Sequence, residues 1–93
     1  MNREVAELVS FILKSKNAQK ILTILAIEGD HTATQLQKKT NLHLSNISRT
    51  LTELEKKKLI LCINPDSAIK FFVATKKGKE INKLTNKIKQ EIN

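Results

Sequence analysis

Ser45, Asn46, Ser48 and Arg49 bring hydroxyl, carboxamide and guanidinium groups into little more than one helical turn. Such groups are donors and acceptors rather than strong bases or metal ligands, so their chemistry is recognition by hydrogen bonding. Arginine forks onto O6 and N7 of guanine and asparagine onto N6 and N7 of adenine, each good pair giving about 1–3 kcal/mol of base discrimination. Serine serves bases or phosphates, and short side chains let a helix approach a groove closely. The same residue types also have a plainer use, solvating a helix start by satisfying its free backbone N–H groups. The elements around them favour the first use.

Leu44, Ile47, Leu51 and Leu54 follow one another at helical spacing, which predicts a helix from Leu44 to Lys57 with these four on its inner face. Ser45, Asn46, Ser48, Arg49, Thr52 and Glu53 then point away. Before it, Thr32 is expected to cap a short helix over 33–39 with Leu36 as its core residue, and Thr40 with Asn41 forms the turn. The start of that short helix, with the hydroxyls of Thr32 and Thr34, can hold a phosphate. Lys38 and Lys39 add charge beside it or serve only as solvated surface. His43 either caps the later helix weakly or reaches a phosphate.

Val5, Leu8, Val9, Ile12 and Leu13 predict an amphipathic first helix over about 2–14, with Phe11 off the main stripe. A second helix, Lys16 to Glu28, is capped by Ser15 and ended by Gly29, and is apolar around much of its circumference through Ala18, Ile21, Leu22, Ile24, Leu25 and Ile27. Beyond the fourth helix the period shortens. Residues 59–63 and 69–74, rich in β-branched and aromatic types, flank Asn64-Pro65-Asp66-Ser67 as a β-hairpin does. Alternation turns Ile60, Cys62, Phe72 and Ala74 toward the domain and Leu61, Ile63, Phe71 and Val73 away, a second face that needs a covering helix or a partner. A last helix from Lys76 to about Glu91, capped by Thr75, carries Ile81, Leu84, Ile88 and Ile92 on one stripe. The expected fold is mainly α with a small β-hairpin (α+β), in the order of a winged helix-turn-helix. It is expected to form one domain over 1–93, with an N-terminal helix over 1–14, the helix-turn-helix and wing over 16–75, and a C-terminal helix over 76–92.

Seventeen Lys and Arg against nine Asp and Glu leave a net charge of +8, which suits a polyanionic partner. The excess is localised: residues 32–58 and 76–93 each hold six basic and two acidic side chains, while 1–31 and 59–75 are balanced. Cys62, the single cysteine, excludes an intramolecular disulfide and reads as an ordinary buried thiol rather than a redox or metal group. With only His31 and His43 beside it, no zinc spacing exists, and neither a metal nor a cofactor is expected. No acid pair, Ser-His-Asp set, Cys-His pair or glycine-rich phosphate loop is recognisable, so no enzyme is expected. No apolar run approaches the roughly 20 residues of a membrane span, and the opening Met-Asn-Arg-Glu does not begin a secretion signal. A reducing, cytoplasmic setting without membrane contact is the expectation.

The segment from Thr34 to Ile60 resembles the winged-helix regulators of the ArsR and MarR type, and especially their archaeal relatives. That family follows a positioning helix and a small polar turn with a Ser-rich helix start, a Ser-Arg pair, a Leu-x-x-Leu step and a Gly-Leu-Val lead into the hairpin. Ser48-Arg49, Leu51 with Leu54, and Lys58-Leu59-Ile60 match those features. Asn64-Pro65-Asp66, Phe72-Val73-Ala74-Thr75 and Lys77-Gly78-Lys79-Glu80 are similar to its wing, third strand and last-helix start. The resemblance spans roughly residues 15–82 and implies a transcriptional regulator. The loop from Pro65 to Lys70 departs from the family's Arg- and Gly-bearing wings, having one acid and one base, so Ser67 and Lys70 are at best backbone contacts. The Cys-rich ligand sets of ArsR-type metal sensors are missing.

The expected function is therefore sequence-specific binding of double-stranded DNA through the fourth helix, as a homodimer with half-sites about 34 Å apart. Val5, Leu8, Val9 and Ile12 of the first helix and Ile81, Leu84, Ile88 and Ile92 of the last are the candidate dimer seam. Lys76, Lys77, Lys79, Lys83, Lys87 and Lys89 either touch phosphates or only solubilise the last helix. Two other functions stay open: a nonspecific architectural DNA-binding protein, motivated by the two basic blocks, and a winged-helix protein-interaction module, motivated by the apolar outer face of the hairpin.

Overall fold

The computed structural model describes residues 2–92, and of Ile92 the backbone only. Five helices and one hairpin follow in order: α1 (Arg3–Leu13), α2 (Lys16–Glu28), α3 (Ala33–Thr40), α4 (Leu44–Lys56), β1 (Ile60–Cys62), β2 (Phe72–Ala74) and α5 (Lys76–Ile92). The polar residues that precede the helices explain most of these starts. Asn2 Oδ1 accepts from the Val5 N–H at 2.8 Å, Ser15 Oγ from Ala18 at 3.1 Å, and Thr75 Oγ1 from Gly78 at 3.0 Å. Thr32 and Gln35 form a reciprocal capping box at the start of α3. His43 gives α4 no side-chain cap.

Helix α2 is the hub. Its Ala18, Ile21, Leu22 and Leu25 are buried, and α1, α3, α4, α5 and β2 all pack on it. From α4 come Ile47, Leu51 and Leu54, from α3 Leu36, from α1 Leu8, Val9 and Ile12, and from α5 Ile81, each worth about 1.5–3 kcal/mol of burial if an aliphatic side chain is taken fully out of water. Helices α4 and α5 both lean on α2.

Three details depart from the sequence pattern. Leu44, expected in the core stripe, is 45% exposed, because at the first position of α4 it overhangs the core, and the buried Thr50 joins Ile47, Leu51 and Leu54 on the inner face. Ile27, near the end of α2, is 71% exposed. The strands are three residues each, shorter than the apolar runs that mark them.

The hairpin pairs Ile60 with Ala74, Leu61 with Val73 and Cys62 with Phe72. Past that ladder the Asn64 side chain replaces strand bonds, accepting from the Phe71 N–H at 2.8 Å and donating to the Ile69 carbonyl at 2.9 Å. An isolated bridge adds a third edge: His31 N–H donates to Phe72 O and Phe72 N–H to His31 O, at 3.1 and 2.9 Å. On the other side, Thr75 N–H donates to Leu59 O at 3.0 Å and Thr75 Oγ1 to Lys58 O at 2.8 Å.

That second contact fixes two residues. A Cβ on Gly78 would lie 1.9 Å from Leu59 O, so α5 can press on the start of the hairpin only through glycine. Gly78→Ala is expected to lower unfolding free energy in urea by at least about 1–3 kcal/mol, the range for forced overpacking; an unchanged midpoint would contradict the contact. Lys58 sits at φ 62, in the left-handed region where glycine carries no Cβ penalty. Lys58→Gly is expected to leave stability unchanged or raise it by up to about 1 kcal/mol, since the relief of that penalty outweighs the added chain entropy.

Candidate nucleic-acid interface

With Ile47, Thr50, Leu51 and Leu54 turned inward, α4 presents Ser45, Ser48, Arg49 and Thr52 to solvent, with Asn46 half-buried beside them. Arg49 makes no ion pair among the described residues, so its five donors are free to meet a ligand. Farther along, Glu53 and Glu55 are exposed on the same helix. Arg49 is thus the one charge in the first half of α4, while the second half mixes Glu53 and Glu55 with exposed Lys56.

A groove of about 530 Å³ separates α4 from the hairpin. It brings Ser48 and Thr52 of α4 together with Thr32 and Thr34 of α3 and Lys70 of the hairpin loop, over a floor that includes Leu51 and Phe72. Ser45, Asn46, Arg49, Lys38, His43 and Ser67 do not line it. Ser67 is exposed on the loop with Asp66, and Ile69 beside them is 67% exposed. The half-buried Cys62 lines the groove, its thiol directed to Asn64 Oδ1 at 3.7 Å.

Thr32 and Lys39 are already occupied. Thr32 Oγ1 accepts from the Gln35 N–H at 3.1 Å in the capping box. Lys39 Nζ is paired with Glu28 and also meets His31 Nε2 at 2.7 Å. An ammonium only donates, so Nε2 must be the accepting nitrogen, and the Nδ1–H then donates to Gly29 O at 2.9 Å. This neutral tautomer of buried His31 joins the end of α2, the end of α3 and, through its backbone bridge, the hairpin. No periodic spacing marks this link, because the three residues lie on separate elements. Lys38 is exposed and unpaired among the described residues, and His43 is exposed.

The candidate dimer residues lie mostly inside the chain. Leu8, Val9, Ile12 and Ile81 are buried in its own core, while Val5, Leu84 and Ile88 are partly buried against it. Side chains that are already sequestered have almost no surface left for a second copy. The Ile92 side chain lies outside the described residues. The polar Asn82 and Thr85 share the buried face of α5, where Thr23 Oγ1 donates to Asn82 Oδ1 at 2.8 Å.

Three helices on a hub, a turn that leaves one polar helix face bare, and a hairpin beside it define a winged helix-turn-helix protein. The chain belongs to the MarR family, whose match covers residues 14–61, from the end of α1 through α4 into β1. This is a family of regulators, not of enzymes. No curated protein matches at a significant level. Among solved structures, NMB1585, a MarR family regulator from Neisseria meningitidis, aligns with a TM-score of 0.73 at 22% identity, over 88% of this chain and 61% of its own. The adhesin competence repressor AdcR from Streptococcus pyogenes aligns at 0.69 and 20%, over 97% and 73%. The transcriptional regulator Tm0710 from Thermotoga maritima aligns at 0.67 and 18%, over 96% and 72%. At such identities the likeness is one of fold, and the chain spans only 61% of the length of NMB1585.

Lys39 holds the Glu28 carboxyl below the ordinary glutamate range, first by its hydrogen bond and then by its charge. A lowered folded-state value stabilises the fold above the unfolded value of about 4.3 and loses that stabilisation as pH falls through the folded value. Glu28 is solvent-exposed, so the increment is small. Glu28→Gln is expected to flatten the decline of Tm below pH about 5 relative to the parent; parallel curves would mean that the pair is not held in solution.

Proposed function

We propose that this chain is a sequence-specific, double-stranded-DNA-binding transcriptional regulator that reads the major groove with the first turns of α4. The observation that carries this reading is the exposed Ser45, Ser48 and unpaired Arg49 on a helix whose opposite face is anchored in the core. Arg49 and Asn46 are the base-reading pair, while Ser45 and Ser48 serve bases or backbone. Thr34, Lys38, His43 and Lys70 contact phosphates, with Ser67 and Thr32 in lesser roles. Lys39, held by Glu28 and His31, acts mainly by fixing α3.

The protein acts as a homodimer, bringing two α4 helices to half-sites about 34 Å apart. Its seam draws on the surface that Val5, Leu84 and Ile88 leave exposed, since Leu8, Val9, Ile12 and Ile81 are consumed in the core. No cofactor is part of this reading. The nonspecific alternative is separated from it by competition between a selected site and random duplex at fixed salt, because a regulator shows a ratio of roughly 10³ or more.

Selection from a random duplex pool is expected to return a palindrome. Arg49→Ala should weaken binding to it by about 1–3 kcal/mol and relax one base position per half-site. An equal loss on all sequences would overturn base reading by Arg49. Lys38→Gln should weaken all sequences alike and make the slope of log affinity against log salt shallower by about 1 for each site occupied, whereas Lys39→Gln should leave that slope nearly unchanged.

A further inference from the structure

We propose that His31 is a positioning residue of the DNA interface, whose neutral imidazole fixes the groove wall facing α4 and whose protonation releases that wall and weakens duplex binding. The inference rests on the reading that α4 and this groove hold the duplex. His31 lies in the connection between α2 and α3 and is only 6% exposed. Both of its ring nitrogens are engaged: Nδ1–H donates to Gly29 O at 2.9 Å, and Nε2 accepts from Lys39 Nζ at 2.7 Å. Its backbone exchanges two further hydrogen bonds with Phe72, at 3.1 and 2.9 Å. One residue thus ties the end of α2, the last turn of α3 and the hairpin. Thr32, next to it in the chain, and Phe72, across the bridge, both line the groove with Ser48 and Thr52 of α4. A displacement of His31 therefore moves the wall that α4 faces.

A proton reverses one of these bonds. An imidazolium carries N–H on both nitrogens, so Nε2 would present a donor and a positive charge to an ammonium that can only donate. Burial leaves little water to screen the two charges or to replace the lost partner. The charged groups around the ring are Glu28 at the end of α2, Asp30 in the connection and Lys39 on α3. Neither β1 nor β2 carries one, and the nearest on the hairpin is Lys70, two residues before Phe72. Glu28 is already paired with Lys39. Beside an imidazolium it faces two cations, and whichever it keeps, the bond from Lys39 to His31 is lost. The bond to Gly29 survives, because Nδ1–H is present in both forms. The sign separates this device from ordinary electrostatics: a proton on an exposed imidazole beside a phosphate, His43 included, tightens DNA binding, whereas release at His31 loosens it.

The test measures affinity for the selected site at about pH 7.5 and about pH 5.5, the interval in which imidazoles change charge. Glu28, its carboxyl held low by Lys39, stays ionised throughout. A His43→Gln background removes the exposed imidazole. The ring-nitrogen shifts of His31 and the amide shift of Phe72 are followed by NMR without DNA. Acidification is expected to weaken binding at least about fivefold, the lower end of ordinary coupling between sites, with the Phe72 amide following the ring. His31→Gln, whose amide oxygen replaces the Nε2 acceptor and does not titrate, is expected to keep the affinity at about pH 7.5 within about twofold and to lose the pH dependence. His31→Asn, whose amide reaches only the Nδ1 position, is expected to bind about fivefold more weakly at both pH values. Affinity unchanged or raised on acidification would overturn the proposal. So would a His31→Asn variant that binds like the parent, or a Phe72 amide that does not follow the ring. Arg49→Ala binding the selected site like the parent would instead count against the α4 reading, while the coupling of Phe72 to the ring, read without DNA, still decides whether His31 holds the wall.

Discussion

The interface depends on α4 being held by one face alone. Ile47, Leu51 and Leu54 are 0%, 3% and 0% exposed, and their packing against α2 sets the rotation of the helix about its own axis. Successive helical residues are about 100° apart, so a one-residue slip of that stripe would bury Ser48 and turn Ile47 out. The aim of Ser45, Ser48 and Arg49 is thus a by-product of apolar packing on their opposite side. The buried Thr50 is the one polar member of the inner face, and an apolar neighbour on each side of it keeps the register from drifting.

A hairpin with three-residue strands is too small to hold its own position, since two-stranded ribbons are marginal in water. Here it is tied at both ends. The backbone bridge from His31 to Phe72 fixes it to the start of α3, and the bonds from Thr75 to Leu59 and Lys58 fix it to the start of α5. Gly78 admits the close approach that makes the second tie possible. The groove between α4 and the hairpin therefore has walls that move with α3 and α5, and its width depends on helices other than the one that would read bases.

Much of this was legible in the chain, for physical reasons. Period and caps are local properties, so α2 begins and ends where Ser15 and Gly29 place it, and the shift from helical to strand spacing after Lys58 marked the hairpin. The outward set on α4 followed from the same periodicity. Periodicity shows which side of a helix is apolar but not what covers that side, and for Leu8, Val9, Ile12 and Ile81, read from spacing as a dimer seam, the cover is the chain's own core. It also says nothing about how far a core extends along a helix, which is why Leu44 at one end of α4 and Ile27 near the end of α2 proved exposed. The link among His31, Lys39 and Glu28 joins residues with no common spacing, and only tertiary structure reveals it.

Charge and geometry together divide the work of recognition. Of the positive block over 32–58, Lys39 is committed to Glu28, and Lys57 lies with its Nζ 4.6 Å over the Phe11 ring centroid, where a cation is held by the ring face. Glu53 and Glu55 stand on α4 itself, and Asp66 accompanies Lys70 on the hairpin loop. The field presented to a duplex by α4 and the hairpin is consequently weaker than the net charge of +8 suggests. The remaining excess of charge lies in the six lysines of α5, none of which lines the groove between α4 and the hairpin, so that groove must draw its selectivity from the shape and hydrogen-bonding groups of its own walls.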